Sequence, residues 1–78
     1  MMQEIIDAMR NRKRKPDRLI MTRSMFRMLL GEAADESVKN GKKFPIHSQY
    51  NPDKTESMFF HNMEVVYDDV ENWRLEEI

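Results

Sequence analysis

Pro16-Asp17-Arg18-Leu19-Ile20-Met21-Thr22 and Met63-Glu64-Val65-Val66-Tyr67-Asp68-Asp69 are the two stretches that decide how this chain folds. Leu19, Ile20 and Met21 are consecutively apolar, as in a strand covered on both faces or one with helices on one side, and a proline precedes them. In the second stretch Val65 and Tyr67 point to one side of a strand, with Glu64, Val66 and Asp68 on the other. Between the two runs lies a helix-like stretch at about 22–40. Thr22 or Ser24 offers an N-cap oxygen, and Phe26, Leu29, Leu30 and Ala33 recur at helical spacing. Met25 and Met28 widen the apolar face, and Asn40-Gly41 suits a C-terminal cap. Gly31 interrupts the pattern at a cost of about 1 kcal/mol relative to alanine, so the helix either ends there or continues through Glu32–Lys39.

Working outward, Met2, Ile5, Ile6 and Met9 line one side of a first helix, expected over about 2–13 and ended by Pro16. Residues 42–57 read as a long surface loop, with Phe44-Pro45-Ile46 as an optional short edge strand and Asn51-Pro52-Asp53-Lys54 as a turn. A loop of that length in so small a domain is unusual and often functional. Met58-Phe59-Phe60 is another apolar run, and His61-Asn62 makes a tight turn into the Val65 strand. Trp73 and Leu75 alternate with polar residues, as in a last strand that pairs back as a hairpin. The expected fold is α+β, a small two-layer sandwich with two helices packed on a mixed sheet of 3–4 strands in the order α-β-α-(β)-β-β, formed by residues 1–78 as a single domain.

Composition bounds the function. With 78 residues, 40% hydrophobic and 35% charged, the chain has material for one thin core and none for a deep cleft. Its stability without a partner should be only about 3–5 kcal/mol. There is no cysteine, so disulfides and thiolate sites are excluded. No apolar run approaches the roughly 20 residues of a membrane helix, and no secretory signal is present. The expected location is intracellular, in a host cytoplasm or a virion, and no membrane or small-molecule partner is indicated. The eight methionines read first as adaptable core filler and second as an adaptable binding surface.

Catalytic motifs are missing. There is no GxSxG, no HExxH, and two glycines in all leave nothing for a phosphate-cradling loop. The expectation is a non-enzymatic protein with no cofactor. His47 and His61, with Asp53, Asp68 or Asp69, match no metal-ligand spacing. Asp68 and Asp69 are neighbours on a strand end and point to opposite sides.

Charge is unevenly spread. Residues 1–29 carry a net +5 and the remainder a net −6, which fits internal pairing, head-to-tail association or a basic face for an acidic partner. Five of the six residues in 10–15 are cationic. Arg10, Arg12, Lys13, Arg14, Lys15 and Arg18 are therefore the candidate contacts for nucleic acid or another acidic partner, by counterion release. No aromatic side chain is interleaved with them, so base stacking is unsupported, and with a near-neutral net charge a solvated helix end with favourable dipole placement is the favoured explanation. Tyr50, Phe59, Phe60 and Trp73 are the candidate interface aromatics, since a thin core does not cover every large ring.

The helix, the Pro16–Thr22 pattern and the Phe26, Leu29 and Leu30 that follow resemble a segment of tailed-phage major capsid proteins. Residues 58–69, an aromatic pair, a tight turn and a valine-rich strand ending in acids, are similar to a later part of that family, which usually has glycine and proline where this chain has Asn62 and Glu64. The resemblance covers about 4–30 and 58–69 and is to the axial subdomain alone. It implies a viral origin and a structural or regulatory role exercised by protein contact, with a protein partner or self-association, and no catalytic residue to carry over. The alternative is a small nucleic-acid-binding regulator using the basic stretch 10–18.

Overall fold

Leu19 and Met21 are fully buried and Ile20 between them is 4% exposed, as consecutive apolar residues in a central strand require. They form β1 (Arg18–Met21), and in the computed structural model, which describes residues 1–78, six further elements surround it. These are α1 (Met2–Arg10), α2 (Arg23–Asn40), β2 (Ile46–Tyr50), β3 (Glu56–Phe60), β4 (Met63–Tyr67) and β5 (Arg74–Glu76). The fold is α+β, with two helices and one mixed sheet in the order β2-β3-β4-β1-β5.

β1 and β4 run parallel, with Leu19 opposite Val65 and Met21 opposite Tyr67. All other pairings are antiparallel. Parallel neighbours cannot be joined by a tight turn. The crossover consists of α2 and the β2–β3 hairpin. Thr22 Oγ1 accepts from the Met25 amide at 3.1 Å, and Gly41 ends the helix with φ 65°. With both ends capped, α2 continues through Gly31. Its buried residues Phe26, Leu29 and Ala33 pack with Ile5 of α1 and with Leu19, Met21, Ile46, Phe60, Met63, Val65 and Leu75, the alternate positions along the strands that face the helices. Arg18, Ile20, Phe59, Glu64, Val66, Arg74 and Glu76 occupy the opposite face by the same alternation. Seven of the eight methionines lie in the core or against it, and Met28 alone stands out at 61% exposed, which is the core-filler reading.

Four expectations are corrected. The sheet has five strands, not 3–4. Residues 42–57 are not a long loop: β2 occupies Ile46–Tyr50 and pairs along its whole length with β3. Only Ile46 of β2 is buried, so the strand carries almost no apolar signal and is held by backbone bonds. The last strand does not pair back on β4, whose two sides are taken by β3 and β1, and β5 lies against β1 instead. Finally, α1 stops at Arg10, because the chain turns through 11–15 to reach the fully buried Pro16 that leads into β1. The two turns read from sequence are present. His61 and Asn62 both have positive φ, the geometry of a two-residue hairpin loop. Asn51 O accepts from the Lys54 amide at 3.0 Å.

The two glycines of the chain give opposite tests. A Cβ added at exposed Gly31 meets nothing within 4 Å, so Gly31→Ala is expected to raise stability by about 0.5–1 kcal/mol through helix propensity. Gly41→Ala forces a side chain into the left-handed region and is expected to cost about 1 kcal/mol. In urea titrations the two midpoints should move in opposite directions, and a lower midpoint for Gly31→Ala would mean that α2 is broken there.

Candidate interaction surfaces

A five-stranded open sheet has two edges, and here they differ. Along β5, Glu76 O accepts from the Asp17 amide on the β1 side, so the Leu75 carbonyl points outward. Arg12 Nη2 donates to that carbonyl at 3.4 Å, Arg12 Nη1 lies 3.6 Å from Glu77, and the Ile78 amide donates to Asp17 Oδ2 at 2.8 Å. This edge is short and capped. Along β2, Pro45 O accepts from the His61 amide and the Asn51 amide donates to Thr55 O. The odd-numbered residues therefore face β3, and Ile46, Ser48 and Tyr50 turn their N–H and C=O groups outward. Nothing of the chain pairs with them. Residues 44–52 are also the longest run in the sequence without Asp, Glu, Lys or Arg.

The four candidate aromatics separate. Tyr50, at the end of β2, is 76% exposed. Phe59 is half-buried on the face away from the helices, stacked on His47 with centroids 5.0 Å apart. Trp73 is half-buried against the core. Phe60 has no exposure and belongs to the core, which overturns it as an interface residue. The two phenylalanines are adjacent, and the His61-Asn62 turn sets which of them faces inward.

The basic stretch is divided by internal pairing. Arg18 lies across β4, β1 and β5, with Nε 3.6 Å from Glu64 and Nη1 3.4 Å from Glu76. Its Nε is buried without a hydrogen bond. Arg18 thus clamps the sheet, its charge engaged by two glutamates of the same chain. Arg12 is engaged by Leu75 and Glu77, and Arg14 lies 3.7 Å from Asp17. Arg10, Lys13 and Lys15 have no carboxylate within 4.0 Å. These are the free cations of the six.

Residues 10–18 alone do not show that Arg10, Arg12 and Lys15 converge with His61 and Asn62 around an open crevice at the end of α1. Lys42 and Lys43 reach the same region from beyond α2. Burial, and then the charges of Lys15 and Arg10, hold the His61 imidazole below its usual pKa of 6.5. Protonating it costs stability, so its contribution is full above that value and is lost as pH falls through the lower folded value. No group of three His, Asp or Glu side chains comes together to hold a metal ion. No helix is long and apolar enough to cross a membrane.

Comparison with protein-family models, with curated proteins and with solved structures finds no match.

Removing the clamp leaves Glu64 and Glu76 facing each other across β1. Arg18→Ala is expected to lower stability by roughly 0.5–1 kcal/mol at low salt and by less at high salt, because these pairs are partly solvated. Retention on a nucleic-acid column should be unchanged. Loss of retention would return Arg18 to the contact surface.

Proposed function

We propose that this chain is a non-enzymatic interaction protein that works by protein–protein contact, adding its β2 edge to the same edge of a second copy. The observation that carries this reading is the edge itself: five residues long, open, and free of charge in a chain that is 35% charged. Exposed edges are ordinarily blunted by lysine, proline within the strand, bulges or a cover. β5 is covered, and β2 is not.

The preference for a second copy comes from register. Antiparallel pairing about a twofold axis at Ser48 places Ile46 beside the partner's Tyr50 on both sides of the axis, and His47 beside the partner's Gln49. Aromatic–aliphatic cross-strand pairs of this kind are favourable. The twofold brings Ser48 beside its own copy, where like charges would repel, and residues 44–52 hold none. Tyr50, whose exposed ring the fold does not use, then gains a partner. The contact is small, so association is weak and concentration-dependent.

The setting we propose is phage-type, a capsid-like assembly piece or a small inhibitor built on the axial subdomain. It is supported by the position of the two stretches that carry the resemblance, which become the parallel neighbours β1 and β4. A nucleic-acid regulator acting through 10–18 is the weaker reading, since Arg12, Arg14 and Arg18 are engaged by carboxylates of the same chain.

Light scattering or sedimentation across about a hundredfold range of concentration tests the reading through mass action. Wild type should pass from monomer to dimer. Ser48→Lys and Ser48→Glu should each remain monomeric, and an equimolar mixture of the two should recover the dimer. The Ser48 amide faces away from β3, so both variants should keep the wild-type circular dichroism. A wild type that is monomeric throughout, or dimers that survive both substitutions, would overturn it.

A further inference from the structure

We infer that the crevice between the end of α1 and the His61-Asn62 turn is a binding site for a phosphate-class oxyanion, held by Arg10, Lys15 and His61. This inference is independent of the β2 edge.

Charge is unbalanced around one open crevice. Arg10 comes from the last turn of α1, Lys15 from the connection to β1, and His61 and Asn62 from the turn between β3 and β4. Arg12 stands in the same wall, with its guanidinium already bonded to Leu75 and near Glu77. No carboxylate lines this crevice. On its far side Lys43 is free and Lys42 is paired with Glu36 at 3.3 Å. Glu36 is thus the single acidic side chain facing Arg10 and His61 from α2, and its charge is offset.

A solvated helix end accounts for Arg10 more readily than for this gathering. The C-terminus of a helix carries the equivalent of roughly half a negative charge, and Arg10 alone exceeds it. Lys15 lies beyond the helix and is brought back by the turn that buries Pro16. His61 is fixed in place by its own amide bond to Pro45 O at 2.9 Å and by an edge-on packing of its ring on Phe60 at 4.6 Å. Burial first, and then the charges of Lys15 and Arg10, disfavour the charged form of that ring. A cationic space without a counter-charge is relieved by an anion. An oxyanion with several acceptor oxygens matches a guanidinium, an ammonium and an imidazolium at once. No tryptophan, tyrosine or phenylalanine lines the crevice, so it recognises the phosphate group and not a base.

The His61 titration followed by NMR, with ionic strength held constant, reads this site directly. The probes are sodium chloride, inorganic phosphate and a short single-stranded oligonucleotide. Phosphate is expected to move the His61 midpoint upward by about half a pH unit or more relative to chloride, since a bound anion offsets Lys15 and Arg10 and favours the imidazolium. Arg10→Gln and Lys15→Gln should each abolish most of that response, whereas Lys13→Gln, outside the crevice, should leave it. A response to inorganic phosphate that the oligonucleotide does not exceed assigns a free phosphate group as the ligand. A larger response to the oligonucleotide, fading as salt is raised, assigns a polynucleotide backbone. A His61 midpoint that is the same in chloride, phosphate and oligonucleotide, or a phosphate response that survives both glutamine variants, would overturn the inference.

Discussion

The parallel pairing of β1 with β4 is the constraint from which the remaining architecture follows. Leu19 sits opposite Val65, and Met21 opposite Tyr67. Such a pair demands a crossover, and in 78 residues the crossover takes up α2 and the β2–β3 hairpin. Once β1 holds one side of β4, β3 takes the other, and the only place left for β5 is the outer side of β1. α1 then closes the end of the core through Ile5. Fully burying Leu19 and Met21 contributes about 1.5–3 kcal/mol each relative to exposure. That is comparable to the whole margin of so small a domain, so the strand is as important energetically as it is geometrically.

Charge does a different job. The basic first part of the chain meets the acidic remainder chiefly at β1 and β5, through Arg18 with Glu64 and Glu76, and Arg12 with Glu77. Pairs of this exposure are worth at most about 1 kcal/mol each. Their weight lies in orientation: β5 is three residues long, and a strand that short needs side chains to fix its partner. Internal pairing is thus one answer to the sequence asymmetry, and it is incomplete. After Arg12, Arg14 and Arg18 are engaged, Arg10 and Lys15 remain without carboxylates beside His61.

Much of the frame is legible because its signals are local. Consecutive apolar residues mark β1, a threonine and a glycine bracket α2, and His61-Asn62 turns the chain by itself. Where a structure depends on residues far apart in sequence, local reading fails for identifiable reasons. β2 is polar and exposed, with one buried residue, and only its bonds to β3 make it a strand. Phe59 and Phe60 are indistinguishable by type, and the register against Glu64 and Met63 separates them. Arg18 belongs to a run of cations in the sequence, yet in space it belongs to two glutamates from β4 and β5. The crevice joins α1 to a turn some fifty positions later, beyond any spacing rule.

The two edges of the sheet are finished differently. β5 is held by side chains on its outward face, at the cost of ordering Arg12, and Asp17 bonds the amide of Ile78. β2 has four exposed residues out of five and no such cover. A lysine or glutamate at Ser48 would be harmless to the monomer, because that position faces outward and the chain is elsewhere rich in charge. Unbroken neutrality across 44–52 is therefore not demanded by the core, the helices or the β2–β3 ladder. It is compatible with the self-pairing we propose, in which Ser48 meets its own copy and a like charge there would be repelled.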